Sequence, residues 1–263
     1  MGVLRLLYIG DIVGSSGREA IARELPLLRK EKPVDFIVAN AENAAHGFGL
    51  TPSIAKELFD MGIQVLTGGN HTFDKKEVVE VFAQYPGRVV RPANYPARTP
   101  GPGSTLYPGP QGLQIGIINV MGRVFMDPLD CPFEAFDREY SQIQTQTKII
   151  LLDIHAEATS EKYAIGYYSD GKVSACVGSH THVQTADEII FAKGTGYLSD
   201  AGMTGPTDSI IGMKKEIILQ RFLEKRPVRM EVSENRGMLQ GAIFEIDTET
   251  GRCLKVERVR RGA

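Results

Sequence analysis

Residues 178–187 read GSHTHVQTAD, placing His180 and His182 two positions apart in a chain with only five histidines. Imidazoles at this spacing can bind a divalent cation, move a proton near neutral pH, or lie on a turn and face solvent. The choice depends on what else converges on them. Gly10-Asp11 follows one apolar run, and NAEN, with Glu42-Asn43, follows a second. GGNH brings Asn70-His71 behind a third, and His155 opens HAEATSEK behind KIILLDI. Four of the five histidines thus stand just past strand-like segments, with oxygen or nitrogen donors beside them. In open α/β sheets this is where connecting loops present side chains to ligands. Imidazole, carboxylate and amide oxygen suit Mn, Fe or Zn, and the absence of neighbouring thiolates argues against a structural zinc knuckle. Six or seven donors exceed the need of one tetrahedral ion and suffice for two ions ~3.5–4 Å apart, bridged by a carboxylate. Such a pair clamps a phosphate oxygen, acidifies a bridging water and stabilises attack at phosphorus.

Other chemistry-bearing residues read differently. His46, on the glycine-flanked loop AAHGFG, is expected to be a structural histidine outside the ligand set. Asp153, Glu157 and Lys162 surround His155 and either support it or, from Ala156-Glu157, simply start a helix. Asp187 either orients a ligand histidine or is a surface acid. Gly10, Gly14 and Gly17 match neither the phosphate-loop nor the dinucleotide fingerprint. No serine sits in a G-x-S-x-G elbow. The three cysteines lie apart from these blocks, and Cys176 within VSACVG reads as core.

The elements that must carry these residues alternate. Strands are expected at LRLLYIG (4–10), VDFIVANA (34–41), IQVLTGG (63–69), LQIGIINV (113–120), KIILLDI (148–154) and VSACVGS (173–179). Ser16 and Glu19 have capping-box spacing at the head of a helix, and Thr51-Pro52 opens another that runs through Met61. GAIFEID and CLKVERV flank the turn TETG as an antiparallel pair. The fold class is α/β with stacked layers. Residues 86–110 hold seven of the fourteen prolines and read as a stiffened surface excursion of a single 1–263 domain. Residues 121–146 show no clear periodicity and read as an insertion near the site. RPVRMEVSENRGM could serve a contact in a homo-oligomer or be a solvated loop.

Composition bounds the rest. With 263 residues, 42% hydrophobic, the chain can bury a sizeable core. A net charge of −2 gives no basic face for nucleic acid. No apolar run approaches the ~20 residues of a membrane span. Three widely spaced cysteines and no signal-peptide pattern point to a reducing cytoplasm.

The ordered blocks GDIVG, NAEN, GGNH, DIHAEATSEK and GSHTH resemble the calcineurin-like metallophosphoesterases, over nearly the whole chain. The last four are most similar to the YmdB-type branch, whose known members hydrolyse cyclic nucleotides. The resemblance implies a four-layer sandwich of two mixed β-sheets flanked by helices. It also implies two divalent ions, Fe or Mn before Zn, and hydrolysis of 2′,3′- or 3′,5′-cyclic nucleotides by a hydroxide bridging them. Asp11 and His182 would bind one ion, Asn70, His155 and His180 the other, and Glu42 would bridge. His71 would donate a proton to the leaving oxygen. Val13 stands where the family often has a histidine, and either Asn43 or a water would take that place. A phosphomonoesterase or nucleotidase, and a non-catalytic nucleotide or RNA sensor, are the competing readings.

Overall fold

The computed structural model describes residues 2–262. Its strands are β1 (Val3–Ile9), β2 (Asp11–Ile12), β3 (Phe36–Asn40), β4 (Val65–Thr67), β5 (Ser104–Pro108), β6 (Gln114–Met121) and β7 (Ile149–His155). They continue as β8 (Ala175–Ser179), β9 (Ile189–Ile190), β10 (Gly196–Leu198), β11 (Met203–Pro206), β12 (Gly237–Asp247) and β13 (Cys253–Arg261). The helices are α1 (Gly14–Glu31), α2 (Pro52–Asp60), α3 (Val78–Gln84), α4 (Pro132–Ile143), α5 (Thr159–Ser169) and α6 (Lys215–Glu224). One sheet runs β2-β11-β12-β1-β3-β4, with β13 paired to β12, and the other β5-β6-β7-β8-β10-β9. Both mix parallel and antiparallel pairs.

Strand alternation builds the layers. Leu4, Leu6 and Tyr8 of β1 face Ile115, Ile117, Leu151 and Val177 of the second sheet. Leu7 and Ile9, on the opposite face, pack under Ile21 and Leu25 of α1 and Leu58 of α2. The far side of the second sheet buries Leu152 and Ile154 against Phe136 of α4 and Ile165 of α5. Helices, sheet, sheet and helices form the four layers that the resemblance implied. Because β1, β3 and β7 are covered on both faces, they read as continuous apolar runs.

Several local expectations hold. Thr51 caps α2, its hydroxyl accepting from the Ile54 amide at 3.4 Å, with Pro52 in the first turn. The last two strands pair antiparallel, as expected. The capping box fails. Helix α1 starts at Gly14, and Val13 occupies the N-cap with no side-chain cap. Ser16 instead donates to the Asn235 carbonyl at 2.6 Å, because the chain returns over the start of the helix just before β12.

The 86–110 stretch contains β5, which pairs with β6. The guanidinium of Arg91 donates to the carbonyls of Pro92, Thr99 and Pro100, tying the proline turns together. Within 121–146, α4 carries Phe133, Phe136, Tyr140 and Ile143 at 3-4-3 spacing, a helical stripe that the acidic residues around it obscure. Among the described residues no helix is long and apolar enough to cross a membrane.

Candidate metal centre

The parallel strands of both sheets end on one side of the molecule, and the chemistry-bearing blocks follow those ends. Two bonds join the sheets there: the Tyr8 hydroxyl and the Thr67 hydroxyl both donate to Asp153, at 2.7 and 2.5 Å. The cluster is built around His155, which is fully buried at the end of β7. Its Nε2 lies 3.0 Å from a Glu42 oxygen, 2.9 Å from Asn70 Oδ1 and 3.1 Å from His180 Nδ1. Glu42, His155 and His180 together form a group able to hold a metal ion. On the other side of the ring, Nδ1 meets Ser179 Oγ at 2.9 Å, and that hydroxyl donates to Asp153 at 2.8 Å. Since the hydroxyl proton is committed to Asp153, Ser179 accepts from Nδ1–H, which turns Nε2 toward the cluster.

Charge follows geometry. Burial would lift the Glu42 carboxyl, but the His155 charge and hydrogen bond, together with His71, bring it down to about 2. Burial opposes the His155 charge, yet Glu42 and Asp11 outweigh it and raise the imidazole to about 9. His180 is held down to about 3 by burial and by the neighbouring His155 charge. Burial also raises Asp153 to about 6, against the hydrogen bonds it accepts. The carboxylates that hold a proton on His155 would equally hold a divalent cation, which takes that proton's place when it binds.

Asp11 is fully buried, one oxygen accepting from the His180 amide at 3.2 Å and the other without a hydrogen bond, 3.9 Å from His155 Nδ1. Burial raises its pKa, and the charges of His182 and His155 oppose that shift. His182 Nδ1 lies 2.9 Å from the Ile211 carbonyl and donates to it, leaving Nε2 free. Asn43 is buried, its amide nitrogen donating to Gly47 and its oxygen unpaired. Buried, unsatisfied oxygens cost roughly 1–3 kcal/mol each unless something else binds them. The two orphans, Asp11 Oδ1 and Asn43 Oδ1, are hard donors, and the residues present therefore fit divalent ions.

Val13 is fully buried and packs against Gly205 and Gly212, so its position serves the core. Of the residues named from sequence, the structure gathers Glu42, Asn70, His155 and His180 around one point. Asp11 adjoins them through the His180 amide. Asn43 and His182 come from the two loops flanking that side. His46 lies exposed, outside the cluster.

His71 sits at the mouth. Its amide donates to Glu42 at 2.8 Å, and its Nδ1 lies 2.8 Å from Asp74 Oδ2. The Phe48 ring stands edge-on to it, centroids 5.0 Å apart. Glu157 does touch the cluster, 3.2 Å from His180 Nε2. Lys162 does not. It pairs, buried, with Asp200 at 2.7 Å. Asp187 takes neither expected role and accepts from Tyr163 and Ser199.

Asp200 and Ser179, which sequence reasoning did not single out, make hydrogen bonds that position the candidate site. Asp200 binds the amide and hydroxyl of Thr181 and the amide of Gly202. It thereby holds a turn in which His180 (φ 101°) and His182 (φ 64°) both adopt left-handed backbone. Such conformations cost ~1–3 kcal/mol each and persist only where the surroundings enforce them. The sequence signal is present, because Asp200 also follows a short apolar strand, in GYLSDAG.

Gly69 makes room for the cluster. A Cβ there would stand 2.3 Å from a Glu42 oxygen and 2.4 Å from the His155 ring. Gly69→Ala is expected to reduce bound metal below about half of wild type with the fold retained. Elemental analysis alongside circular dichroism tests this, and full metal content in the variant would show that the ring and carboxylate can shift freely.

A profile of the YmdB-like protein family matches residues 7–259. The chain is 47% identical to a 2′,3′-cyclic-nucleotide 2′-phosphodiesterase of Bacillus subtilis, over 97% of this chain and 96% of that protein. A crystal structure described as a novel phosphatase from Mycoplasma pneumoniae superposes with a TM-score of 0.92 at 32% identity, covering 99% of this chain and 94% of that one. A hypothetical protein from Thermus thermophilus gives a TM-score of 0.89 at 40% identity, with 98% and 99% covered.

Proposed function

The chain belongs to the YmdB-like family of metallophosphoesterases, and on that premise we propose that it hydrolyses 2′,3′-cyclic nucleotides, with 3′,5′-cyclic nucleotides as the second candidate class. The observation that carries this is the convergence of Glu42, Asn70 and His180 on His155 Nε2 beside the orphaned oxygens of Asp11 and Asn43. In this reading Asn70, His155 and His180 would hold one ion, Asp11, His182 and Asn43 the other, and Glu42 would serve both. The oxygen-rich second set favours Mn or Fe over Zn. Bound divalent ions supply Lewis acidity toward phosphate oxygens and lower the pKa of a water.

The chain's own residues do the rest. His155 is locked in one tautomer by the Ser179–Asp153 relay. The His71 ring is oriented at Nδ1 by Asp74, which leaves Nε2 as the nitrogen that would give a proton to the departing 2′-oxygen. Water adds to phosphorus, the P–O2′ bond breaks, and the product is a 3′-monophosphate. Three free cysteines are compatible with a cytoplasmic setting, and we read residues 1–263 as one catalytic domain.

A panel of 2′,3′- and 3′,5′-cyclic nucleotides, linear dinucleotides and 5′-monophosphates, assayed with Mn²⁺, tests the proposal. Turnover of the cyclic esters is expected. Turnover of monoesters alone would make the protein a phosphomonoesterase, and binding without turnover a sensor.

A further inference from the structure

A cleft of about 590 Å³ opens beside His71, lined by His46, Phe48, Lys75, Arg229, Met230 and Val232 among others. That volume lies within the range of small-molecule sites. Its walls come from segments that also build the candidate centre. Gly14 follows Asp11, and its amide donates to the Asn43 carbonyl. Phe48 lies five residues beyond Asn43 and touches His71, and Lys75 follows the turn His71–Asp74. The far wall is the segment before β12, seated so tightly that a Cβ on Gly47 would meet Val232 at 2.5 Å. Lys214 at the rim pairs with Glu231, and Glu234 also lines the cleft. Among the described residues the Lys75 side chain has no hydrogen bond or ion pair, and Arg229 makes no hydrogen bond and interacts by charge with Glu231, which Lys214 already pairs, so both cations can meet a ligand.

We propose that this cleft takes the nucleoside of the substrate, with the base against the Phe48 ring and its polar edge or ribose 5′-oxygen near Lys75 and Arg229. The inference rests on the cyclic-nucleotide reading and on the direction of bond cleavage. The ribose carries the leaving oxygen, so ribose and base must lie on the side of the group that protonates it. His71 faces Phe48. A second cleft of about 530 Å³ is lined by His182, Gln184, Arg258 and Arg260 and includes neither His71 nor its ring neighbour Phe48. An aromatic ring flanked by cations is also the usual platform for a nucleobase, which stacks without needing sequence-specific contacts.

The test compares adenosine 2′,3′-cyclic phosphate with 1,4-anhydroribitol 2,3-cyclic phosphate, which lacks the base. In the wild type, kcat/KM should favour the nucleotide, and Phe48→Ala should shrink that preference about tenfold, mostly through KM. Arg229→Ala, on the exposed side of the cleft, should shrink it as well and guards against a folding defect in the first variant. An equal loss on both substrates would overturn the proposal, since Phe48 would then act only through His71. A preference abolished by Arg260→Ala but not by Phe48→Ala would move the base to the other cleft and overturn it too. Calorimetric binding of adenosine 3′-monophosphate separates this idea from the activity. If the wild type turns over no cyclic ester yet binds this nucleotide through Phe48, the assigned reaction fails and the subsite stands. If it turns over cyclic esters and Phe48→Ala leaves both preference and binding intact, the subsite fails alone.

Discussion

His71→Ala is expected to lower kcat on a 2′,3′-cyclic nucleotide by about 10²–10⁴-fold while metal content stays at the wild-type level, the usual worth of a positioned general acid. The separation of effects follows from which atoms do what. The contact of His71 with the cluster is made by its backbone amide on Glu42, which alanine retains. The ring points elsewhere, held at Nδ1 by Asp74 and flanked by Phe48. Removing it takes away the proton donor and leaves Glu42, His155 and His180 in place. Steady-state kinetics and elemental analysis on one preparation check both halves. Loss of metal with loss of rate would mean that the imidazole holds the cluster together and that the proton comes from elsewhere.

Glu42→Gln should lower metal stoichiometry by at least one ion and kcat/KM by on the order of 10³-fold, equivalent to several kcal/mol of lost transition-state stabilisation. Glutamine keeps the shape and can still accept from the His71 amide, so the change is almost purely one of charge. Glu42 is the main anion facing His155 and is itself ionised down to about pH 2. Without it the cluster keeps two imidazoles 3.1 Å apart and loses the charge that makes a cation welcome between them. Metal analysis after dialysis reads the first effect. A variant with full metal and near-normal rate would remove Glu42 from the bridging position.

The layered α/β fold is legible because burial on both faces turns strands into continuous apolar runs, and each such run lies within a few residues of its strand. The helices are less so. Helix α6 leaves little trace because among its residues only Ile218 is buried, so it shows no strong one-sided pattern. Helix α4 is masked because Phe133, Phe136, Tyr140 and Ile143 sit among acids and glutamines. The false capping box at Ser16 shows the reverse error. Its local spacing is right, but a segment more than two hundred residues away claims the hydroxyl.

The chemistry of the site is written along the chain. An apolar run followed at once by Asp11, Glu42, Asn70, His155 or His180 is a local pattern, and strands that run parallel must deliver such residues to a shared edge. How those residues face one another is settled by packing alone. Tyr8 reaches Asp153 across the sheets, and Asp200 twists both histidines of GSHTH into left-handed backbone. The 229–234 segment returns to wall the cleft beside Phe48. Each depends on chain segments distant in sequence being packed to within a hydrogen bond or a van der Waals contact, and no periodicity along the chain encodes that distance.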